Sequence, residues 1–128
     1  MSPEYGREWA KKAEADRIAA LRALKDAARR ADQAEIACFH AQQCVEKYLK
    51  ALIAKKGEAV PRTHDLSALA IHLKSVGIGP LAGEFRRLNQ YAVDIRYPGA
   101  SATIAEARTA ISAMRKAAAL CRRHLSGR

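Results

Sequence analysis

The feature that most constrains the fold of this chain is a stripe of apolar residues through its last quarter. Its members recur at alternating spacings of three and four: Ile104, Ala107, Ile111, Met114, Ala118, Cys121 and Leu125. This spacing places all of them on one face of an α-helix. Because one amphipathic helix cannot bury such a stripe alone, the sequence predicts that it packs against other helices.

The same periodicity predicts four further helices. The first spans about residues 3–30, and the second spans about residues 32–56 and ends at Gly57, which suits a helix C-terminus. The third opens with Thr63 as its N-cap and carries apolar residues as far as position 76. The fourth follows the joint at 77–80 and continues until Tyr97-Pro98 stops it.

The last helix opens near Ser101 or Thr103, where Thr103 and Glu106 have the spacing of a capping box. Since the joints between helices are short, neighbouring helices should run antiparallel. Alanine is abundant, β-branched residues are few, and no segment has the pattern of a strand. We therefore predict an all-α fold, an up-and-down bundle of four main helices plus a shorter fifth, forming one domain over residues 1–128.

The charge of the chain limits its partners. Twenty-three Lys and Arg residues against thirteen Asp and Glu give a formal net charge of +10. Such an excess attracts anions, which favours nucleic acid or nucleotide as a partner. Two alternatives stay open: an acidic partner protein, or a basic surface that serves only solubility. The N-terminal residues lack the apolar run of a signal peptide, and no stretch is apolar enough to span a bilayer. A soluble, cytoplasmic protein with no membrane contact is expected.

The three cysteines, Cys38, Cys44 and Cys121, lie in helical patterns among apolar neighbours. They lack the spacing of metal ligands, so we expect buried, reduced thiols. The seven glycines are scattered at joints and do not form a phosphate-binding loop. The sequence thus predicts no metal and no cofactor.

The second helix has apolar residues on two faces. Its main stripe should face the core: Ala34, Ala37, Ala41, Val45, Tyr48 and Leu52. Ile36 and Phe39 point nearly the opposite way. The helix is therefore either central to the bundle or part of a symmetric dimer interface, and the homodimer is the simpler account.

The second and third helices also carry polar groups that suit an anion. His40, Gln43 and Lys47 follow the i, i+3, i+7 spacing and share one side of a helix. Lys47 can hold a phosphate, and Gln43 can both donate and accept hydrogen bonds, although a polar helix face is often only solvated. His64 follows Thr63 at a helix start, where backbone N–H groups favour anions, but ordinary capping with Asp65 also explains it.

The end of the fourth helix carries a cation between two phenols. Arg96 in a last turn is favoured by the helix dipole without any ligand, yet Tyr91 and Tyr97 offer stacking surfaces and hydroxyls beside it. Asp16 lies on the predicted core-facing side of the first helix. We expect it to accept a hydrogen bond or to pair with a basic residue in a structural role.

Three motifs in order resemble the HEPN domain family over nearly the whole chain. They are FHAQQCVEKYLKAL at 39–52, Thr63-His-Asp-Leu66, and Arg96-Tyr-Pro98. The resemblance implies an all-α bundle, commonly dimeric, with a composite groove between protomers. It also implies a minimal nucleotidyltransferase as partner, in a toxin–antitoxin or defence module.

Ribonuclease-active members of that family use an arginine followed after four to six residues by a histidine. No histidine occurs between Ser101 and Thr103, so the arginine of that pair is present as Arg96 and its histidine is not. We therefore predict a weakly catalytic or non-catalytic protein that binds nucleotide or RNA. The alternatives are a metal-independent endoribonuclease toxin, with Arg96 and His64 as catalytic candidates, and an interaction module with a basic face. The predicted contact residues are His40, Gln43, Lys47, His64, Tyr91, Arg96 and Tyr97.

Overall fold

The computed structural model of the chain describes residues 3–92 and 101–127, and within these ranges all regular structure is helical. Five α-helices follow one another: α1 (Pro3–Asp26), α2 (Gln33–Lys55), α3 (Leu66–Ile71), α4 (Ala82–Asn89) and α5 (Ile104–Ser126). Short 3₁₀ turns at Lys74–Val76 and Gly79–Leu81 connect α3 to α4. The predicted all-α fold is confirmed. No helix in the described ranges is long and apolar enough to cross a membrane.

Helices α1 and α2 form a tightly packed antiparallel hairpin. Gly6 near the start of α1 lies against the end of α2, and a Cβ there would be 3.3 Å from the carbonyl oxygen of Ala51. Small side chains on α1 allow this approach along its length; the buried alanines are Ala13, Ala20 and Ala23. Helix α1 ends at Asp26, four residues before the predicted end at Arg30.

Helix α2 is the central helix of the bundle, since 15 of its 23 residues are buried. The whole predicted apolar stripe is buried, and Ile36 on the opposite side packs against the core as well. A central position therefore accounts for the second apolar face at Ile36. The homodimer stays a prediction.

Helix α5 runs parallel to α2, because Lys55 at the end of α2 donates to the carbonyl oxygen of His124 at the end of α5 (2.7 Å). Helix α4 runs antiparallel to α5, since Glu84 at its start pairs with Lys116 midway along α5. The chain thus goes up, down, up and down, as predicted. The capping box is also confirmed: Thr103 Oγ1 accepts the Glu106 N–H at 3.0 Å, and Glu106 accepts the Thr103 N–H at 2.9 Å.

The segment between α2 and α3 ends α2 as predicted but begins α3 at a different residue from the predicted one. Gly57 has a φ of +84° and ends the helix as expected. The N-cap of α3, however, is Asp65, whose carboxylate accepts the N–H groups of Ser67 (2.9 Å) and Ala68 (3.4 Å). The prediction of Thr63 as the N-cap is wrong, because its hydroxyl accepts the Asp65 N–H and closes the turn just before the helix.

Helices α3 and α4 are both shorter than predicted. Helix α3 ends at Ile71, and the chain reaches residue 76 in a 3₁₀ turn. The predicted fourth helix is wrong at residues 90–92, since α4 ends at Asn89. The Asn89 side chain is bonded to the start of α3, accepting the Leu66 N–H and donating to Asp65, both at 2.9 Å. This contact fixes the end of α4. The predicted positions of Arg96 and Tyr97 lie outside the described residues.

The three cysteines are buried and unpaired, as predicted. Burial raises the pKa of the Cys38 thiol to about 11 and that of Cys121 to about 12, and it raises the pKa of Cys44 as well. Because only thiolates react readily, these groups are chemically quiet in the folded protein.

Candidate functional site

A buried ion pair lies on the central helix. Glu46 and Lys50 are 2% and 6% exposed, and the Lys50 ammonium donates to one carboxylate oxygen of Glu46 at 3.0 Å. Removing two charges from water is costly, and their attraction offsets the cost only when further hydrogen bonds satisfy them. The pair should therefore have additional partners.

One partner of Glu46, His64, comes from the joint before α3, and the others are glutamines of α2 itself. His64 Nδ1 lies 2.9 Å from Glu46 Oε1, and the side-chain amides of Gln42 and Gln43 each donate to the same oxygen at 3.4 Å. Gln42 also donates to the backbone carbonyl of His64 at 2.9 Å. Helix α2 thus holds both the ring and the backbone of His64.

This arrangement orients the imidazole. A carboxylate only accepts hydrogen bonds, so Nδ1 of His64 carries the proton that faces Glu46. The second ring nitrogen, Nε2, is then the one that can meet a ligand. The His64 side chain is 65% exposed, so a ligand can reach it.

A cavity of about 300 Å³ adjoins His64, between α1, α2 and the joint before α3. One wall is cationic and polar, formed by Lys50, Arg62, Thr63 and His64; the other is aromatic, formed by Tyr5 and Trp9. The Lys50 ammonium lies 5.2 Å from the centroid of the Trp9 ring, and the Tyr5 ring meets Trp9 edge-on. We refer to this space as the His64 cavity. It combines anion-binding groups with apolar ring surface.

A second polar cluster joins α1 to α2. Asp16 accepts from His40 Nδ1 at 2.8 Å and from the Lys47 ammonium at 2.5 Å. Burial raises the pKa of the Asp16 carboxyl, but the hydrogen bonds from His40 and Lys47 outweigh it and hold the pKa below its usual range. The predicted pairing of Asp16 with a basic residue is confirmed. One consequence is that Asp16 already neutralises Lys47.

Tyr91 lies in a different place from His64. Its side chain is 7% exposed, and burial raises its pKa. It lines a cavity between α4 and α5 together with Arg87, Gln90 and Glu106. Asn89, two residues earlier, is bonded to Asp65, the neighbour of His64, so the two cavities belong to adjacent parts of the surface.

The structure thus groups the predicted contact residues in three places. Gln43 joins His64 through Glu46, His40 joins Lys47 through Asp16, and Tyr91 stands apart between α4 and α5. In the described part of the chain, no group of three or more His, Cys, Asp or Glu side chains could hold a metal ion.

The sequence prediction missed the residues that shape the His64 cavity: Trp9, Glu46, Lys50 and Arg62. Glu46 and Lys50 lie with Gln43 and Lys47 on the polar side of α2, so their spacing does not distinguish a buried ion pair from a solvated one.

Comparison with known proteins adds a family and a structural relative. The sequence profile described as the HEPN domain matches residues 7–124. The fold is similar to the crystal structure of TT1696 from Thermus thermophilus, with a TM-score of 0.77 and 26% sequence identity over 91% of this chain and 95% of that one. No protein of curated function matches the chain.

Proposed function

The chain belongs to the HEPN domain family, and on this premise we propose that it binds nucleotide or RNA at the His64 cavity. We further propose that it acts as a homodimer with a minimal nucleotidyltransferase, in a module of the toxin–antitoxin or defence type. The whole chain forms one domain in this proposal.

The observation that carries the proposal is the composition of the His64 cavity. Lys50 and Glu46 neutralise each other, so the attraction for an anion comes from Arg62 and from His64 when it is protonated. Phosphate oxygens accept hydrogen bonds from such groups. Beside them, Trp9 offers ring surface to a base or a ribose. A phosphate attached to a ring system matches both walls of the cavity.

The other predicted contact residues have distinct roles in this proposal. His64 meets the ligand, and Gln43 supports it by donating to Glu46. His40 and Lys47, held by Asp16, position α1 against α2, while Tyr91 contacts the ligand at the end of α4. Arg96 and Tyr97 stay predicted contact residues.

Binding without efficient cleavage follows from the histidine missing between Ser101 and Thr103. One observation favours a second candidate function, a metal-independent endoribonuclease. Glu46 orients His64 as a carboxylate orients the histidine of many acid–base pairs, so the imidazole is arranged to exchange a proton. In that case His64 takes the catalytic role of the missing histidine, with Arg96 as its predicted partner.

Titration with AMP, ATP and a single-stranded oligoadenylate tests the binding. Trp9 is the only tryptophan in the chain, so its fluorescence reports occupancy of the cavity. We expect Arg62→Gln and His64→Gln each to weaken binding about tenfold, the loss of one charged hydrogen bond. His72→Gln is the matched control, because His72 is also exposed and also faces a carboxylate, that of Glu58. Equal affinity of the His64 and His72 variants would exclude the cavity as the binding site.

A cleavage assay separates the two candidates. The purified protein is incubated with oligoadenylate in the presence of EDTA, beside His64→Gln and His72→Gln. The binding function predicts no cleavage by any of the three proteins. Cleavage that disappears in His64→Gln and persists in His72→Gln would establish the endoribonuclease instead.

A further inference from the structure

The face between α4 and α5 carries a second set of anion-binding groups, separate from the residues that line the His64 cavity. Two depressions meet there and share Arg87 and Thr109. The first contains Tyr91 and Gln90, and the second extends along α5 past Arg108 to Lys116. We call the two together the α4–α5 groove.

We propose that the α4–α5 groove binds the sugar–phosphate backbone of single-stranded RNA. The ligand of the protein is then a strand rather than a mononucleotide, which deepens the proposed function and rests on it. The strand runs from the His64 cavity along α5.

Most of the polar side chains along the groove are donors. Arg87, Arg108 and Lys116 supply positive charge, and Ser112 supplies a hydroxyl group, whereas the Thr109 hydroxyl already donates to the carbonyl oxygen of Ala105. Arginine, lysine, serine and threonine are the side chains that contact phosphate and sugar most often. This set carries no base-specific geometry, so it should bind backbone without reading sequence.

The two carboxylates at the groove are already engaged within the protein. Glu84 pairs with Lys116 at 3.4 Å, and Glu106 accepts the backbone N–H of Thr103 in the capping box. Among the described residues of the groove, three cations stand against these two negative charges. The net field of the groove is positive, and the guanidinium groups of Arg87 and Arg108 are exposed to a ligand.

The length of the groove suits an extended ligand. Arg108, Ser112 and Lys116 lie four residues apart on α5, and a rise of about 1.5 Å per residue spreads them over about 12 Å. This distance exceeds the size of one phosphate group. A mononucleotide could occupy only part of the row.

A protein partner fits the groove less well than a nucleic acid. Protein interfaces centre on large apolar or aromatic anchors. Among the described residues, the exposed large apolar side chains are Tyr5, Ile18 and Ile71, and none of them lines the groove. The large apolar side chains in its described lining, Leu88 and Tyr91, are buried in the core.

The groove leads toward the His64 cavity at one end. Tyr91 lines the groove, and Asn89 two residues before it donates to Asp65, the neighbour of His64. One strand can thus place a terminal nucleotide in the cavity and its following phosphates along the groove.

The test compares two triple variants with the same change in net charge. One removes the groove cations, Arg87→Gln/Arg108→Gln/Lys116→Gln. The control removes exposed cations elsewhere, Lys11→Gln/Arg22→Gln/Arg123→Gln. Far-UV circular dichroism and the unfolding midpoint first establish that both triples are folded. Anisotropy of a labelled oligoadenylate is then measured over a series of KCl concentrations.

The expected result follows from counterion release. If each groove cation neutralises one phosphate, the slope of log K against log salt falls by about 0.7 per residue, or about 2 in total. At about 0.1 M salt, affinity for the strand then drops about 100-fold. The control triple should lose less than about threefold. Binding of AMP, followed by Trp9 fluorescence, should be unchanged in the groove triple.

Two outcomes would contradict the proposal that the α4–α5 groove binds RNA. Equal losses in both triples would mean that the strand responds only to overall charge. Binding of a polyglutamate peptide as tightly as the strand, with the same loss in the groove triple, would assign the groove to acidic proteins. Failure of AMP to bind the wild-type protein contradicts the His64 cavity instead, so the two proposals can fail separately.

Discussion

Replacing Lys50 with methionine removes the cation that Glu46 is buried against, while it keeps an unbranched side chain of similar length. Both residues are almost fully buried, with 3.0 Å between the ammonium and the carboxylate. Truncating one partner of such a pair leaves an uncompensated charge in the interior, which costs about 3–5 kcal/mol. We expect a value near 3 kcal/mol, because His64 and two glutamine amides still donate to Glu46.

A second loss comes from the aromatic wall of the cavity. The Lys50 ammonium lies 5.2 Å from the Trp9 ring centroid, and a cation–π contact of this kind contributes about 0.5–1 kcal/mol. Methionine restores part of it through its thioether. The total expected destabilisation of Lys50→Met is therefore about 3 kcal/mol, or roughly 10 °C in Tm for a domain of this size.

Urea denaturation at neutral pH measures the effect, with Trp9 fluorescence and circular dichroism as independent probes. Lys74→Met is the matched control, since Lys74 is exposed in a 3₁₀ turn and should change stability by less than about 0.5 kcal/mol. The double variant Glu46→Leu/Lys50→Met removes both charges and should regain most of the stability. If Lys50→Met unfolds at the same urea concentration as Lys74→Met, the reasoning about the buried pair is refuted.

Two further predictions concern the frame of the bundle. The lowered pKa of Asp16 means that its ionised form stabilises the folded state above its unfolded pKa, and this contribution is lost as pH falls through the folded value. Asp16→Asn should therefore cost about 1–2 kcal/mol at pH 7 and progressively less as pH falls below about 4, as measured by urea denaturation over a pH series. A loss that does not change with pH would contradict the ion pair with His40 and Lys47. Gly57→Ala should destabilise the protein by about 1 kcal/mol, because φ is +84° there, although a Cβ would meet no atom. Thermal unfolding measures this loss. Gly79→Ala is the control and should be neutral, since a Cβ also meets nothing there and φ is ordinary.

The sequence predicts those parts of the fold that depend on local chemistry. The stripe from Ile104 to Leu125 and the capping box of Thr103 fix α5 in both sequence and structure. Gly57 ends α2 because a left-handed conformation is needed there and no other residue takes it as easily. Each of these features is decided by residues within a few positions of one another.

Errors arise where a tertiary contact decides between local alternatives. Thr63 and Asp65 are both good caps, and the charged Asp65 carboxylate also accepts from Asn89, which lies 24 residues away. The same contact fixes the end of α4, although the apolar periodicity continues beyond Asn89. Spacing along one segment cannot show which of two acceptors a distant side chain will meet.

The candidate site was predicted only in part for a related reason. His64 was identified from its place at a helix start, but Glu46 and Lys50 have the i, i+4 spacing of an ordinary surface ion pair. Only the burial of α2 on every side distinguishes them. Trp9 and Arg62 join the cavity through the packing of α1 and the joint before α3, which no pattern in either segment specifies.

The buried pair is difficult to explain by stability alone. Well-packed apolar residues in place of Glu46 and Lys50 would avoid the desolvation of two charges. What the pair supplies is a fixed carboxylate behind an exposed imidazole, since Glu46 Oε1 holds His64 Nδ1 and Lys50 holds Oε2. The Glu46→Leu/Lys50→Met variant separates the two roles, because it should fold almost normally while its His64 ring is no longer oriented. Nucleotide binding at wild-type affinity by that variant would show that the charges serve the fold, whereas a tenfold loss in a stable protein would show that they serve the cavity.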